Sequence, residues 1–126
     1  AWGYSAGAQL AFNLANDSAA GIKAVVVGGT PTHFATYPES PLITNFMGLK
    51  YKDKPAAWDE ASPVSRVTAK SPPTFIYHGE NDILVHIEQS EMLAEKLKQH
   101  KVEHEFYRVP VLEHVTVYFF SAESIK

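Results

Sequence analysis

Gly3-Tyr4-Ser5-Ala6-Gly7 runs straight into Ala8-Gln9-Leu10-Ala11-Phe12-Asn13-Leu14-Ala15. The first five residues have the form G-x-S-x-G, and the run behind them is helix-like and apolar around most of its circumference. A serine set between two such glycines suits a sharp strand-to-helix turn, where bulky neighbours would clash. Its hydroxyl then projects into a cleft, beside the N–H groups and positive dipole end of the following helix. The plainer reading is a helix N-cap, a role serine often fills.

Two downstream segments bear on the choice. Pro73-Thr74-Phe75-Ile76-Tyr77 is short, apolar and rich in β-formers, and reads as a buried strand. His78-Gly79-Glu80-Asn81-Asp82-Ile83-Leu84-Val85 follows, with Gly79 and Asn81 marking a turn. Asp82 is thereby placed at the carboxyl edge of the strand, where open α/β sheets carry their chemistry. A further strand, 103–109, leads through Val109-Pro110-Val111-Leu112-Glu113 to His114. Serine, aspartate and histidine thus occur in that order, each just beyond a strand.

At these residues the chain resembles the α/β-hydrolase superfamily, in particular its serine esterase and lipase branch. Gly3-Tyr4-Ser5-Ala6-Gly7 is similar to the G-x-S-A-G of many esterases, and residues 78–85 match H-G-x-x-D-x-x-V, the segment of the family's acid. The resemblance implies that Ser5 is the nucleophile, Asp82 the acid, His114 the base and the Ala6 N–H an oxyanion donor, with Gly3 and Gly7 shaping the turn. It implies cleavage of a small-molecule carboxylic ester through an acyl-enzyme, with no cofactor and no metal. Where the family usually has Gly before the histidine, this chain has Glu113. A prolyl-oligopeptidase-type peptidase shares the motif order, and a truncated, non-catalytic binding module is a third reading. Ser5-Ala6-Gly7-Ala8 favours the esterase branch over the peptidases.

Composition narrows the classes. A chain of 126 residues with 45% hydrophobic residues reads as globular, with one domain's worth of core. A net charge of −3, with both signs interspersed, argues against nucleic acid as a partner. No apolar run is long enough to span a bilayer. Cysteine is absent, so thiol chemistry and disulfides are excluded.

Beyond the first helix, Ile22-Lys23-Ala24-Val25-Val26-Val27 reads as a strand closed by Gly28-Gly29. A helix is expected over about 86–100, with Ile87, Met92, Leu93 and Leu97 as its apolar stripe. A last helix is expected from near Val115. Alternating β and α predicts a mainly parallel sheet of about four strands flanked by helices, the C-terminal half of an α/β-hydrolase fold. Residues 1–126 then form a partial domain, the N-terminal strands and the second oxyanion loop being expected in a missing half. With only Ala1 and Trp2 before the turn, its feeding strand is expected to be absent, and the sheet, without its neighbouring strands, is expected to leave the strand at the turn as an apolar edge prone to oligomerise. Localisation is not legible from this stretch.

Between about 30 and 66 no period of 2 or 3.6 persists. Five of the eight prolines fall there, together with Phe34, Tyr37, Phe46, Tyr51 and Trp58. This excursion reads as an irregular, cap-like segment whose aromatics chiefly pack it onto the sheet. His100 and His104 are four apart, but Lys101-Val102 ends the helix between them, which disfavours a metal site. His78 reads as a residue that orders the Asp82 loop.

Overall fold

The computed structural model describes residues 1–114; the expected helix from Val115 lies outside the described residues. Four strands, β1 (Trp2–Tyr4), β2 (Val25–Gly28), β3 (Thr74–Gly79) and β4 (His104–Val109), form one sheet in the order β1-β2-β3-β4. Every pair is parallel: Gly3 lies opposite Val27, Val27 opposite Ile76, and Ile76 opposite Phe106. The expectation that the turn lacks a feeding strand is corrected. Three residues suffice to pair with β2, and Ser5 N–H continues the ladder to the Gly28 carbonyl at 2.8 Å.

Strand alternation sends Val25, Val27 and Ile76 to one face, under α1 (Ala6–Ala15) and the later helix Glu88–Gln99. Ala8, Phe12, Leu93 and Leu97 are fully buried there and form the main core. Tyr77 and Val109 pack the opposite face with Tyr4, Val26, Phe75 and Leu112. The outer side of α1 is less covered than its composition suggests, since Leu10 and Leu14 are both more than half exposed.

The 30–66 excursion is more regular than its sequence reads. It contains two seven-residue helices, α2 (Pro41–Met47) and α3 (Pro55–Ala61), joined through one short 3-10 turn, Tyr51–Asp53; Glu88–Gln99 is α4. Each excursion helix starts on its proline, where the missing N–H costs nothing and the fixed φ suits the first turn. Ser40 caps α2 through the Ile43 N–H, and Gly48 closes it at φ 70°. Trp58, Phe34 and Ile43 give the excursion a core of its own, with Tyr51 edge-on to Trp58.

Polar side chains fasten this segment to the sheet layer. Gln9 and Asn13, on one side of α1, both donate to the Ala61 carbonyl at 2.7 and 2.8 Å. Gln89 on α4 accepts the backbone N–H groups of Thr32 and His33 at 2.9 and 2.8 Å, and its amide donates to Thr36. Gln89, with both its amide oxygen and its amide nitrogen engaged, orients the segment where apolar contact alone would let it slide.

Candidate active site

A single residue separates β1 from α1. That residue, Ser5, has φ 54° and ψ −123°, a backbone region costly for any residue with a Cβ, by about 1–3 kcal/mol. The conformation persists because its surroundings fix it: its N–H bonds Gly28, and its carbonyl accepts the N–H groups of Ala8 and Gln9. The chain can turn so sharply because Gly3 lacks a Cβ; one built there would sit 2.2 Å from the Gly7 carbonyl oxygen. At Gly7 a Cβ meets nothing within 4 Å among the described residues.

Ser5 holds the N-cap position of α1, yet its hydroxyl makes no cap hydrogen bond. Its Oγ instead lies 2.9 Å from Nε2 of His114. Nδ1 of the same ring lies 2.5 Å from Oδ2 of Asp82. The carboxylate accepts at Nδ1, so the proton resides there and Nε2 is left to accept from the Ser5 hydroxyl. The three residues named from sequence therefore form one hydrogen-bonded chain across the carboxyl edge of the sheet.

Two loops bring the partners together. The N–H groups of Glu80 and Asn81 donate to the carbonyls of Val109 and Leu112 at 3.0 and 3.2 Å, binding the Asp82 loop to the His114 loop. Tyr4 adds a tie that sequence reading did not foresee: its hydroxyl donates to the His114 carbonyl at 2.6 Å, with the two rings 5.0 Å apart. Burial, and next the nearby Asp82 carboxylate, hold the Tyr4 phenol well above its usual range, so it stays a donor. Glu113 is exposed and has no positive φ, so the backbone before His114 has no need of glycine; Val111 takes the left-handed turn instead, at φ 66°.

Asp82 is buried, which alone would raise its pKa. Hydrogen bonds from His114, from His78 and from the Val85 N–H outweigh that and hold the carboxyl well below the usual carboxylate range. A depressed folded-state pKa stabilises the fold above the unfolded value, about 3.9, and the contribution is lost as pH falls below it. Urea midpoints measured from pH 7 to pH 3 are therefore expected to drop on the acid side, and Asp82→Asn is expected to flatten that drop. An equal acid slope in both proteins counts against the assignment.

Beside Ser5 and Ala6 opens a cavity of about 110 Å³, walled by Pro31, Phe34, Tyr37, Ile43, Phe46 and Leu84. Its walls are mostly apolar, and most come from the excursion. Phe34 serves both the excursion core and this wall, whereas Trp58 and Tyr51 only pack.

The sequence model of the BD-FAE family matches residues 1–97, which include Ser5, Asp82 and the whole cavity wall. The chain belongs to the BD-FAE family. This BD-FAE chain is 37% identical over 59 residues to Esterase LipQ of Mycobacterium tuberculosis, covering 46% of the chain and 14% of LipQ. In structure it is similar to an acetyl ester-xyloside bifunctional hydrolase from Caldicellulosiruptor lactoaceticus, with TM-score 0.79 and 22% identity over 97% of the chain and 50% of that protein. It is also similar to Porphyromonas gingivalis dipeptidyl peptidase 4, with TM-score 0.78 and 14% identity over 98% of the chain and 18% of the peptidase. The chain thus spans half or less of these relatives. At such identities the structural likenesses establish the α/β-hydrolase fold, which esterases and peptidases share.

Proposed function

We propose that this BD-FAE chain carries the nucleophile, base and acid of a carboxylic-ester hydrolase acting through an acyl-enzyme. The observation that carries the reading is the chain of hydrogen bonds from Ser5 to His114 to Asp82, opening on an apolar cavity. The likeness to a protein named an esterase supports the ester class.

In this mechanism Nε2 of His114 takes the Ser5 proton as Oγ attacks the ester carbonyl carbon. Asp82 stays ionised, keeps the ring in the required tautomer and stabilises the imidazolium. The developing oxyanion is met by the N–H of Ala6, in the first turn of α1, where backbone donors have no intrahelical acceptor. One such donor is typically worth about 3–4 kcal/mol in the transition state. Collapse of the tetrahedral intermediate breaks the C–O bond to the alcohol, which leaves with the proton from His114. Water, deprotonated by the same nitrogen, then releases the acid and restores Ser5. The apolar wall of the excursion suits the hydrocarbon part of the ester.

The full-length protein incubated with a fluorophosphonate is expected to gain one adduct, on Ser5, by intact mass and peptide mapping. Absence of an adduct on folded protein overturns the reading and favours a non-catalytic binding module. The likeness to dipeptidyl peptidase 4 keeps a peptidase as the second reading; faster turnover of a peptide anilide than of the matched ester would select it.

A further inference from the structure

His78 lies at the end of β3, fully buried, and takes no part in the proton transfers above. Both of its ring nitrogens are engaged. Nε2 lies 2.7 Å from the Val85 carbonyl oxygen and 3.1 Å from Oδ2 of Asp82. Both neighbours are acceptors, so Nε2 carries the proton. Nδ1 lies 2.6 Å from Oγ of Ser90, itself fully buried on α4, whose hydroxyl is then the donor. Oδ2 of Asp82 is thus shared by two histidines, since Nδ1 of His114 approaches the same oxygen. Oδ1 is occupied separately by the N–H groups of Leu84 and Val85, at 3.0 and 2.8 Å.

A carboxylate on a turn can rotate about its χ2, and a rotated Asp82 would present the wrong edge to His114. The Leu84 and Val85 donors fix one oxygen. A donor rooted in strand β3 and helix α4 fixes the other.

Resting on the esterase reading, we propose that His78 is a positioning residue whose Nε2–H, donated to the Val85 carbonyl and shared with Oδ2 of Asp82 at 3.1 Å, holds that carboxylate oxygen where it receives Nδ1–H of His114. The role is separate from loop ordering in general, because it depends on a donor at the Nε2 position and not merely on a filled space. Ser90 completes the device by selecting the tautomer: with its hydroxyl donating to Nδ1, the ring proton belongs on Nε2.

Two amides separate these requirements. In His78→Gln the side-chain N–H₂ reaches the Nε2 position, whereas in His78→Asn it reaches only the Nδ1 position, near Ser90. In the full-length protein His78→Gln is expected to keep kcat for an ester within about threefold of the parent. His78→Asn is expected to lose about 10- to 100-fold in kcat with KM unchanged, the scale of a small misplacement of a reacting group. A second readout needs no turnover. An imidazole N–H donating to a carboxylate gives a far-downfield proton resonance, and the His114 Nδ1–H signal is expected to persist in His78→Gln and to move upfield or broaden away in His78→Asn. Should the protein turn out to cleave no ester, this resonance still decides whether His78 holds Asp82. Should His78→Asn not fold, Ser90→Ala applies the same test, and the signal is expected to shift there too. The proposal is overturned if folded His78→Asn, or Ser90→Ala in its place, leaves the resonance unmoved. It is equally overturned if His78→Gln falls as far as His78→Asn.

Discussion

Ser5→Ala is expected to lower kcat for an activated ester by about a millionfold in the full-length protein, the scale on which loss of a serine nucleophile is felt. KM and the unfolding midpoint are expected to change little. The alanine keeps the Cβ, and with it the strained backbone at φ 54°. The Ser5 hydroxyl caps no helix, and its hydrogen bond to His114 is typically worth about 1 kcal/mol of net stability. Fluorophosphonate labelling is expected to vanish with turnover, because the probe and the ester need the same oxygen. Turnover remaining within tenfold of the parent would move the nucleophile elsewhere and overturn the reading. Loss of activity together with a large fall in the unfolding midpoint would mean that the serine is structural, which the absent cap bond argues against.

The three candidate site residues, which the structure brings together, were legible because each is announced locally. Gly3-Tyr4-Ser5-Ala6-Gly7 is a turn whose close approach at Gly3 only glycine permits, Asp82 follows an apolar run of strand length, and His114 follows a further strand candidate. In a parallel sheet all strands end on one side, so residues just past their carboxyl ends gather there whatever their separation in sequence. The ties made by Tyr4 and Gln89 were not legible in this way. The partner of Tyr4 lies 110 residues away and that of Gln89 57 away, and no local pattern marks such a pair.

Element boundaries show the same division. Ile22-Lys23-Ala24 reads as the start of a strand, yet β2 begins at Val25. The reason lies across the sheet: Pro72 and Pro73 have no N–H to donate, so β3 starts at Thr74, opposite Val25. The helices of the excursion escaped notice because seven residues are too few to display a 3.6 period. Pro41 and Pro55 also read as breakers, although each opens a helix. In each case a residue's meaning depended on a neighbour that only the fold supplies.

Gly3→Ala is expected to be the most damaging of the small substitutions for stability. The new Cβ would lie 2.2 Å from the carbonyl oxygen of Gly7, 2.5 Å from its carbonyl carbon and 2.7 Å from the Ala8 nitrogen. All three are backbone atoms in the first turn of α1, so no side chain can swing aside. Helix α1 has to lift from β1, but Ala8 and Phe12 on its inner face are fully buried against the sheet core with Val25 and Val27. Overpacking a core typically costs about 1–3 kcal/mol, and an unyielding backbone puts this case at about 3 kcal/mol or more. The urea midpoint is expected to fall with its slope unchanged, as for a loss of stability without a change in the surface exposed. Any lift also carries Ser5 away from Nε2 of His114, so labelling by a fluorophosphonate is expected to slow even in the fraction that stays folded. A parental midpoint and labelling rate would mean that α1 shifts at little cost. The sharpness of the turn would then not be what sets the serine against its base.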